Sequence, residues 1–128
     1  MSKYSLSKSE RLKHQKDIDS LFASGISVFK FPFRVIYQKL DTQTDNPVKF
    51  AVSVPKRKIK SAVTRNRIKR KIREYYRVNK HLLINAAQAH SCSINLIFIY
   101  ANDDSSNCDN KEHILLELME KIHEQAFD

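Results

Sequence analysis

The 128 residues are enough to bury roughly two thirds of the unfolded surface without disulfides or metal. With 41% hydrophobic residues, one Gly and three Pro, the composition is that of a folded chain and not of a basic disordered tail. Lys and Arg total 23 against 14 Asp and Glu, a formal net charge of +9, which points to a polyanionic partner. No run approaches about 18 consecutive apolar residues, and the opening Met1-Ser2-Lys3-Tyr4-Ser5 has no apolar stretch. Neither a membrane span nor a secretory signal is therefore expected, and the cytoplasm is the expected compartment. Cys92 and Cys108 show no CxxC spacing, so free thiols are expected and a zinc site or disulfide framework is not.

In chain order, Ile18, Leu21 and Phe22 stand at i, i+3 and i+4 within Lys13 to Ser24. That spacing predicts a short amphipathic helix stopped by Gly25. Phe29, Phe31, Phe33, Val35 and Tyr37 then alternate with other residues, a period of two that puts four aromatics on one face of a strand. Pro32 marks an edge or an irregular start, and a separate strand near Gly25 to Phe31 is admitted. After the polar turn Asp41 to Pro47, the residues Val48, Phe50, Val52 and Val54 resume the alternation, and a hairpin is the economical connection between the two strands. Ala62 to about Lys80 has no Gly or Pro and reads as a helix capped by Ser61 or Thr64. Ile68, Ile72, Tyr75 and Tyr76 occupy one sector of it, and Asn66, Lys69, Arg70, Arg73 and Arg77 the next. His81 to Ser91 reads either as a second helix or as part of the first. Ser93 to Tyr100 is apolar without alternation, which predicts a strand buried on both faces in mid-sheet. Ile114, Leu115, Leu118, Met119 and Ile122 predict a closing amphipathic helix. This order implies an α+β or α/β sandwich of one domain, residues 1–128.

The charge is localised. Lys56 to Arg77 holds eleven Lys or Arg against Glu74 alone, a charge of +10, whereas the other 106 residues carry 12 basic and 13 acidic groups. Such density repels itself unless a partner neutralises it. Within it, Arg65-Asn66-Arg67 lies at a helix start, where free N–H groups and the positive dipole end already favour phosphate. Arginine bridges phosphate oxygens bidentately, and asparagine both donates and accepts at a ribose hydroxyl or base edge.

Lys56-Arg57-Lys58-Ile59-Lys60-Ser61-Ala62-Val63-Thr64-Arg65-Asn66-Arg67-Ile68-Lys69-Arg70 resembles the signature of the protein subunit of bacterial ribonuclease P. Arg11-Leu12, Asp17-Ile18, Leu21-Phe22 and Gly25 resemble that family's opening helix, Val35-Ile36-Tyr37 its early strand, and Ala51-Val52-Ser53-Val54 the strand before its basic loop. The chain departs from the pattern at Ile18, where the family usually has an aromatic, and at Ile59-Lys60, where it usually has a loop glycine. The resemblance implies a two-layer α-β sandwich with a central mixed sheet of about four strands, about three helices and a left-handed β-α-β crossover. General handedness rules favour the opposite hand in about 98% of cases.

The resemblance also implies the partners: the catalytic RNA of ribonuclease P and precursor tRNA, whose 5′ leader the complex removes. Neither a membrane nor an obligate protein partner is implied. The RNA performs the hydrolysis with Mg2+ bound through the RNA, so no catalytic residue, metal ligand or firmly held cofactor is expected in the protein. The implied RNA-binding residues are Lys56, Arg57, Lys58, Lys60, Arg65, Asn66, Arg67, Lys69, Arg70, Arg73 and Arg77. Ile18, Phe22, Val35 and Tyr37 are the implied lining of a cleft for the leader. For Phe22 and Tyr37 a core role is the alternative, because aromatics fill cores routinely.

The residues themselves agree with a binding role. A two-metal nuclease needs clustered carboxylates, but Glu74 stands alone in the basic segment, and Asp103, Asp104 and Asp109 lie in a polar loop. The five histidines show neither HxH nor HExxH spacing. A structural RNA-binding protein of the ribosomal type is the alternative function, and a protein-only metallonuclease a third class.

Overall fold

A computed structural model describes residues 6–127. The N-terminal stretch 1–5, read above for the absence of a signal, lies outside them. A 3-10 turn at Lys8–Glu10 precedes α1 (Gln15–Ser24), β1 (Ile26–Lys30), β2 (Phe33–Leu40), β3 (Val48–Ser53), α2 (Ala62–Asn79), α3 (His81–Ala89) and β4 (Ser93–Tyr100). A second 3-10 turn at Ser105–Cys108 leads to α4 (Glu112–Phe127). None of the described helices is long and apolar enough to cross a membrane. Both cysteines are free and buried.

The four strands form one mixed sheet in the order β1-β2-β4-β3. β4 pairs antiparallel with β2 and parallel with β3, so α2 and α3 make up the crossover between two neighbouring parallel strands. This corrects the hairpin expected between β2 and β3: β4 sits between them. The reason is burial. Ile94, Leu96, Phe98 and Tyr100 of β4 face one side and Ile97 the other, all buried, and only a central strand covers both faces. The aromatic alternation from Phe29 to Tyr37 does not run through one strand either. The chain turns at Phe31-Pro32, pairing Lys30 with Phe33 and Phe29 with Arg34, so Phe29 ends up on the face opposite Phe33, Val35 and Tyr37.

The main core lies on one side of the sheet. Ile68, Ile72 and Tyr76 of α2, Leu83 and Ala87 of α3, and Leu115, Leu118, Met119 and Ile122 of α4 pack against Phe33, Val35, Tyr37, Phe50, Leu96 and Phe98. The Tyr76 ring lies between Phe50 and Phe98, with centroids at 4.6 and 5.5 Å. Burying side chains of this size contributes about 1.5–3 kcal/mol each. On the other side, Leu12 and Leu21 pack on Ile36 and Ile97, with Ile18, Ala51 and Ile99 at the margin. Thus α1 is the one α-helix on that face among the described residues. His81 to Ser91 resolves into α3, a helix separate from α2.

Gly25 does end α1, but in an extended conformation (φ −75°) and not a left-handed one. Its need is close approach: a Cβ there would lie 2.4 Å from the Leu21 carbonyl oxygen and 2.6 Å from Ile36 Cγ2. That contact lets the chain pass from α1 directly into β1.

Candidate nucleic-acid interface

The basic loop is anchored before it is charged. The amides of Lys58 and Ile59 donate to the Pro55 carbonyl at 3.0 and 3.1 Å, and the Ile59 side chain is buried in the main core. Arg65 completes the turn, its Nη1 donating to the carbonyls of Ile59 (2.9 Å) and Lys60 (2.8 Å). A tight loop therefore forms without the glycine of the family pattern, because an apolar plug and a guanidinium clamp hold it. Lys56, Arg57, Lys58 and Lys60 remain exposed on its outside. Ser61 is the N-cap of α2, its Oγ accepting from the Thr64 amide at 3.3 Å.

Along α2 the cations divide between flanks, since successive residues turn by about 100°. Arg67 and Lys71 share one flank and one carboxylate, Asp109 Oδ1, at 3.6 and 3.2 Å. Arg77 pairs with Glu74 one turn back, at 2.6 Å. Arg70 points outward between these groups and, with Arg67, Lys71 and Glu74, borders a shallow hollow of about 540 Å³. Asn66, Lys69 and Arg73 lie on the opposite flank by the same geometry. Arg73 lines a hollow of about 280 Å³ with Arg11, Leu12, Lys13, Ile18 and β3 residues Phe50 to Val52. Burial and then the neighbouring Arg11 charge hold its guanidinium below the usual arginine range. Among the described residues no carboxylate lines this hollow, and the three cations that meet there favour an anion.

Arg11 and Lys13 were not singled out in the sequence as binding residues. They lie some 60 positions from Arg73, and nothing local marks the approach. What brings them there is the N-terminal segment, which runs beside β3 through a bridge from Arg11 to Phe50 and a 2.7 Å bond from the Leu12 amide to the Phe50 carbonyl. Glu10 locks the segment down. Its carboxylate accepts from the Ser7 amide at 2.8 Å and from Lys80 Nζ at 2.9 Å, in a buried pair. Burial alone would raise the Glu10 pKa, but the Ser7 amide and the Lys80 ammonium reverse this and hold the carboxyl below its usual range.

The expected leader cleft needs a correction. Ile18 borders the Arg11–Arg73 hollow, and Phe22 projects from α1 with 57% of its surface exposed. Val35 and Tyr37, however, are 0% and 1% exposed and belong to the core under α2–α4. The Tyr37 hydroxyl donates to Gln125 Oε1 at 2.7 Å. Because strand side chains alternate, the β2 residues facing α1 are their neighbours Arg34, Ile36 and Gln38, one position away. Ile36 packs with Leu21, and Gln38 Oε1 accepts from Ser20 Oγ at 3.1 Å.

Among the described residues, no three His, Cys, Asp or Glu side chains are grouped so that they could hold a metal ion. The Cys108 thiol is pushed up to about 11, chiefly by burial, which leaves it protonated and unreactive near neutrality.

Comparison with known proteins agrees with this geometry. The family model described as Ribonuclease P matches residues 6–123. The ribonuclease P protein component of Porphyromonas gingivalis is 37% identical over 101 residues, which cover 79% of this chain and 74% of that protein. That of Staphylococcus carnosus is 41% identical over 75 residues, 59% of this chain and 63% of the relative. The RNase P protein from Staphylococcus aureus superposes with a TM-score of 0.66 at 28% identity, covering 91% of each chain. A Thermotoga maritima RNase P protein shares the fold, with a TM-score of 0.65 at 23% identity over 87% of this chain and 98% of its own. With its arginine-asparagine-arginine helix, its anchored basic loop and a family match over nearly its whole length, this chain belongs to the ribonuclease P protein family.

Proposed function

We propose that the chain binds the catalytic RNA of ribonuclease P and the 5′ leader of precursor tRNA, and assists endonucleolytic removal of that leader in the cytoplasm. The observation that carries this reading is the hollow between α1, β3 and α2, where Arg11, Lys13 and Arg73 meet with no carboxylate among the described lining residues. Phosphodiester backbone neutralises such a site, and the exposed Phe22 on the adjoining helix offers a stacking face for an unpaired base. Hydrolysis is assigned to the RNA, with Mg2+ held through it, and the protein contributes charge neutralisation and substrate positioning. Its residues act by binding: the loop cations and Arg70 hold phosphates, and the α1 hollow orients the leader.

Cleavage of precursor tRNA by the protein alone, by the catalytic RNA alone at low magnesium, and by the two together tests the assignment. Activity confined to the mixture is expected. Cleavage by the protein alone would make it a nuclease in its own right, and no gain in the mixture would leave a structural RNA-binding role.

A further inference from the structure

Along the flank of α2 that turns away from α1, three residues of one helical row meet one loop. Arg67, Lys71 and Tyr75 recur every four residues, so their side chains stand one above the other. Arg67 Nη1 and Lys71 Nζ approach Asp109 Oδ1, and the Tyr75 hydroxyl donates to the Cys108 carbonyl at 2.8 Å. The loop is fastened elsewhere too. Cys108 is fully buried, the Asp109 amide donates to the Ser106 carbonyl at 3.1 Å, Asp104 Oδ1 accepts from the Ser106 amide at 3.0 Å, and the Tyr100 hydroxyl of β4 donates to the Asp104 carbonyl. Asp109 Oδ1 is shielded from solvent and takes no hydrogen bond among the described residues, so what faces it is the pair of cations. Arg67, Lys71 and Asp109 nevertheless keep 42%, 36% and 44% of their side-chain surface, within reach of a ligand on the hollow that Arg67, Arg70, Lys71 and Glu74 border.

A carboxylate here works against affinity as such. It lowers the local positive charge and repels every phosphate that approaches, and the Arg73 flank of the same helix has no carboxylate in its described lining. What it supplies is geometry. An arginine or lysine side chain left free samples many rotamers and must be ordered by the RNA it binds. Arg67 is drawn to Asp109 through Nη1, which leaves the rest of its planar fork for a phosphate or a base edge. We infer that Asp109 is a specificity-determining residue for the catalytic RNA: it positions Arg67 and Lys71 for the arrangement of acceptors that this RNA presents, and it disfavours RNA that offers charge alone. Asp109 acts through the two cations and not by contact with RNA. This rests on the reading given under Proposed function. Discrimination is a difference of two affinities, and a fixed geometry with a repulsive charge behind it weakens an ill-fitting RNA more than a fitting one.

The test compares the Kd of the full chain for the catalytic RNA with that for an unrelated structured RNA of equal length, at one salt concentration because both depend on it. Wild type should favour the catalytic RNA. Asp109→Asn adds one positive charge, so the unrelated RNA should bind more tightly, whereas the catalytic RNA should bind more weakly as Arg67 and Lys71 lose their fixed positions. The ratio of the two affinities should drop about fivefold, the upper part of the range for a half-exposed ion pair. Asp109→Glu keeps the charge within reach of both cations and should hold the ratio near wild type. In an Arg67→Ala, Lys71→Ala background, Asp109→Asn should not move the ratio further. Melting curves establish that each variant is folded. The inference is overturned if Asp109→Asn strengthens both RNAs equally, which is the effect of charge alone, or weakens both equally, which is a structural role. It is overturned too if the ratio rises, if Asp109→Glu falls as far as Asp109→Asn, or if the drop persists in the background lacking both cations. Failure of the underlying reading shows separately, as a wild-type protein that binds the two RNAs alike.

Discussion

The buried Glu10–Lys80 pair joins the N-terminal segment to the junction of α2 and α3 at 2.9 Å, with side-chain exposures of 11% and 5%. Glu10→Gln leaves the Lys80 ammonium buried opposite a neutral amide, and Lys80→Met leaves a buried carboxylate beside the Tyr76 phenol, whose pKa burial and then the Glu10 charge already push upward. Removing one partner of a buried pair costs about 3–5 kcal/mol. At about 4 °C per kcal/mol for a chain of this size, the melting temperature should fall by about 10–20 °C in either single variant. The double variant Glu10→Met with Lys80→Met should recover most of the loss, since apolar replacement of a whole buried pair is close to neutral.

The pH dependence has a definite sign. The folded pKa of Glu10 is depressed, so the unfolded chain binds the proton more readily. The pair's contribution is present above the ordinary glutamate value of about 4.3 and is lost as pH falls through the depressed folded value. Thermal melts of wild type between about pH 3 and pH 7 should show that acid limb, and Glu10→Gln should flatten it. Single variants that each cost under about 1 kcal/mol, or a double variant as unstable as the sum of the singles, would refute the reasoning.

Arg73→Ala should weaken binding of precursor tRNA to the assembled complex more than Lys71→Ala, because Lys71 is already shared with Asp109 whereas Arg73 faces Arg11 in a hollow with no acidic residue in its lining. Equal losses in a binding titration would mean that bulk charge alone matters. RNA affinity should fall steeply between about 50 and 200 mM monovalent salt, with a slope of roughly −0.7 to −0.9 per phosphate neutralised, and a flat response would defeat the electrostatic account. Phe22→Ala should leave the melting temperature nearly unchanged and selectively lower precursor over mature tRNA binding. Tyr37→Ala should instead cost about 3–5 kcal/mol of stability without changing that preference, and melting curves beside the two tRNA affinities check both.

Much of the architecture was legible along the chain. α2 runs from Ala62 to Asn79, matching the stretch free of Gly and Pro, because a long helix with a Ser cap and one apolar sector is specified locally. The burial of β4 on both faces was likewise visible in Ile94 to Ile99. The candidate site was legible where it depends on charge density, as in the loop and the arginine-asparagine-arginine turn. It was not legible at Val35 and Tyr37. Alternation says that these two share a face with Phe33 but not which helices cover that face, and a shift of one residue exchanges the sets.

By itself, then, the sequence determined α1, β3, α2, β4 and α4, the position of the positive charge and the central place of β4, since each follows from spacing within a few residues or from the apolar character of one segment; the break at Phe31-Pro32 and the separation of α3 from α2 came from the structure. Only the tertiary structure decided that β4 enters between β2 and β3, that α1 covers Ile36 and not Tyr37, and that Asp109 neutralises Arg67 and Lys71. It alone also brought Arg11 to Arg73 through the Glu10–Lys80 pair. These outcomes join residues about 15 to 70 positions apart, and such contacts are selected by how the buried faces and charges of the whole chain are satisfied together, which no local period encodes.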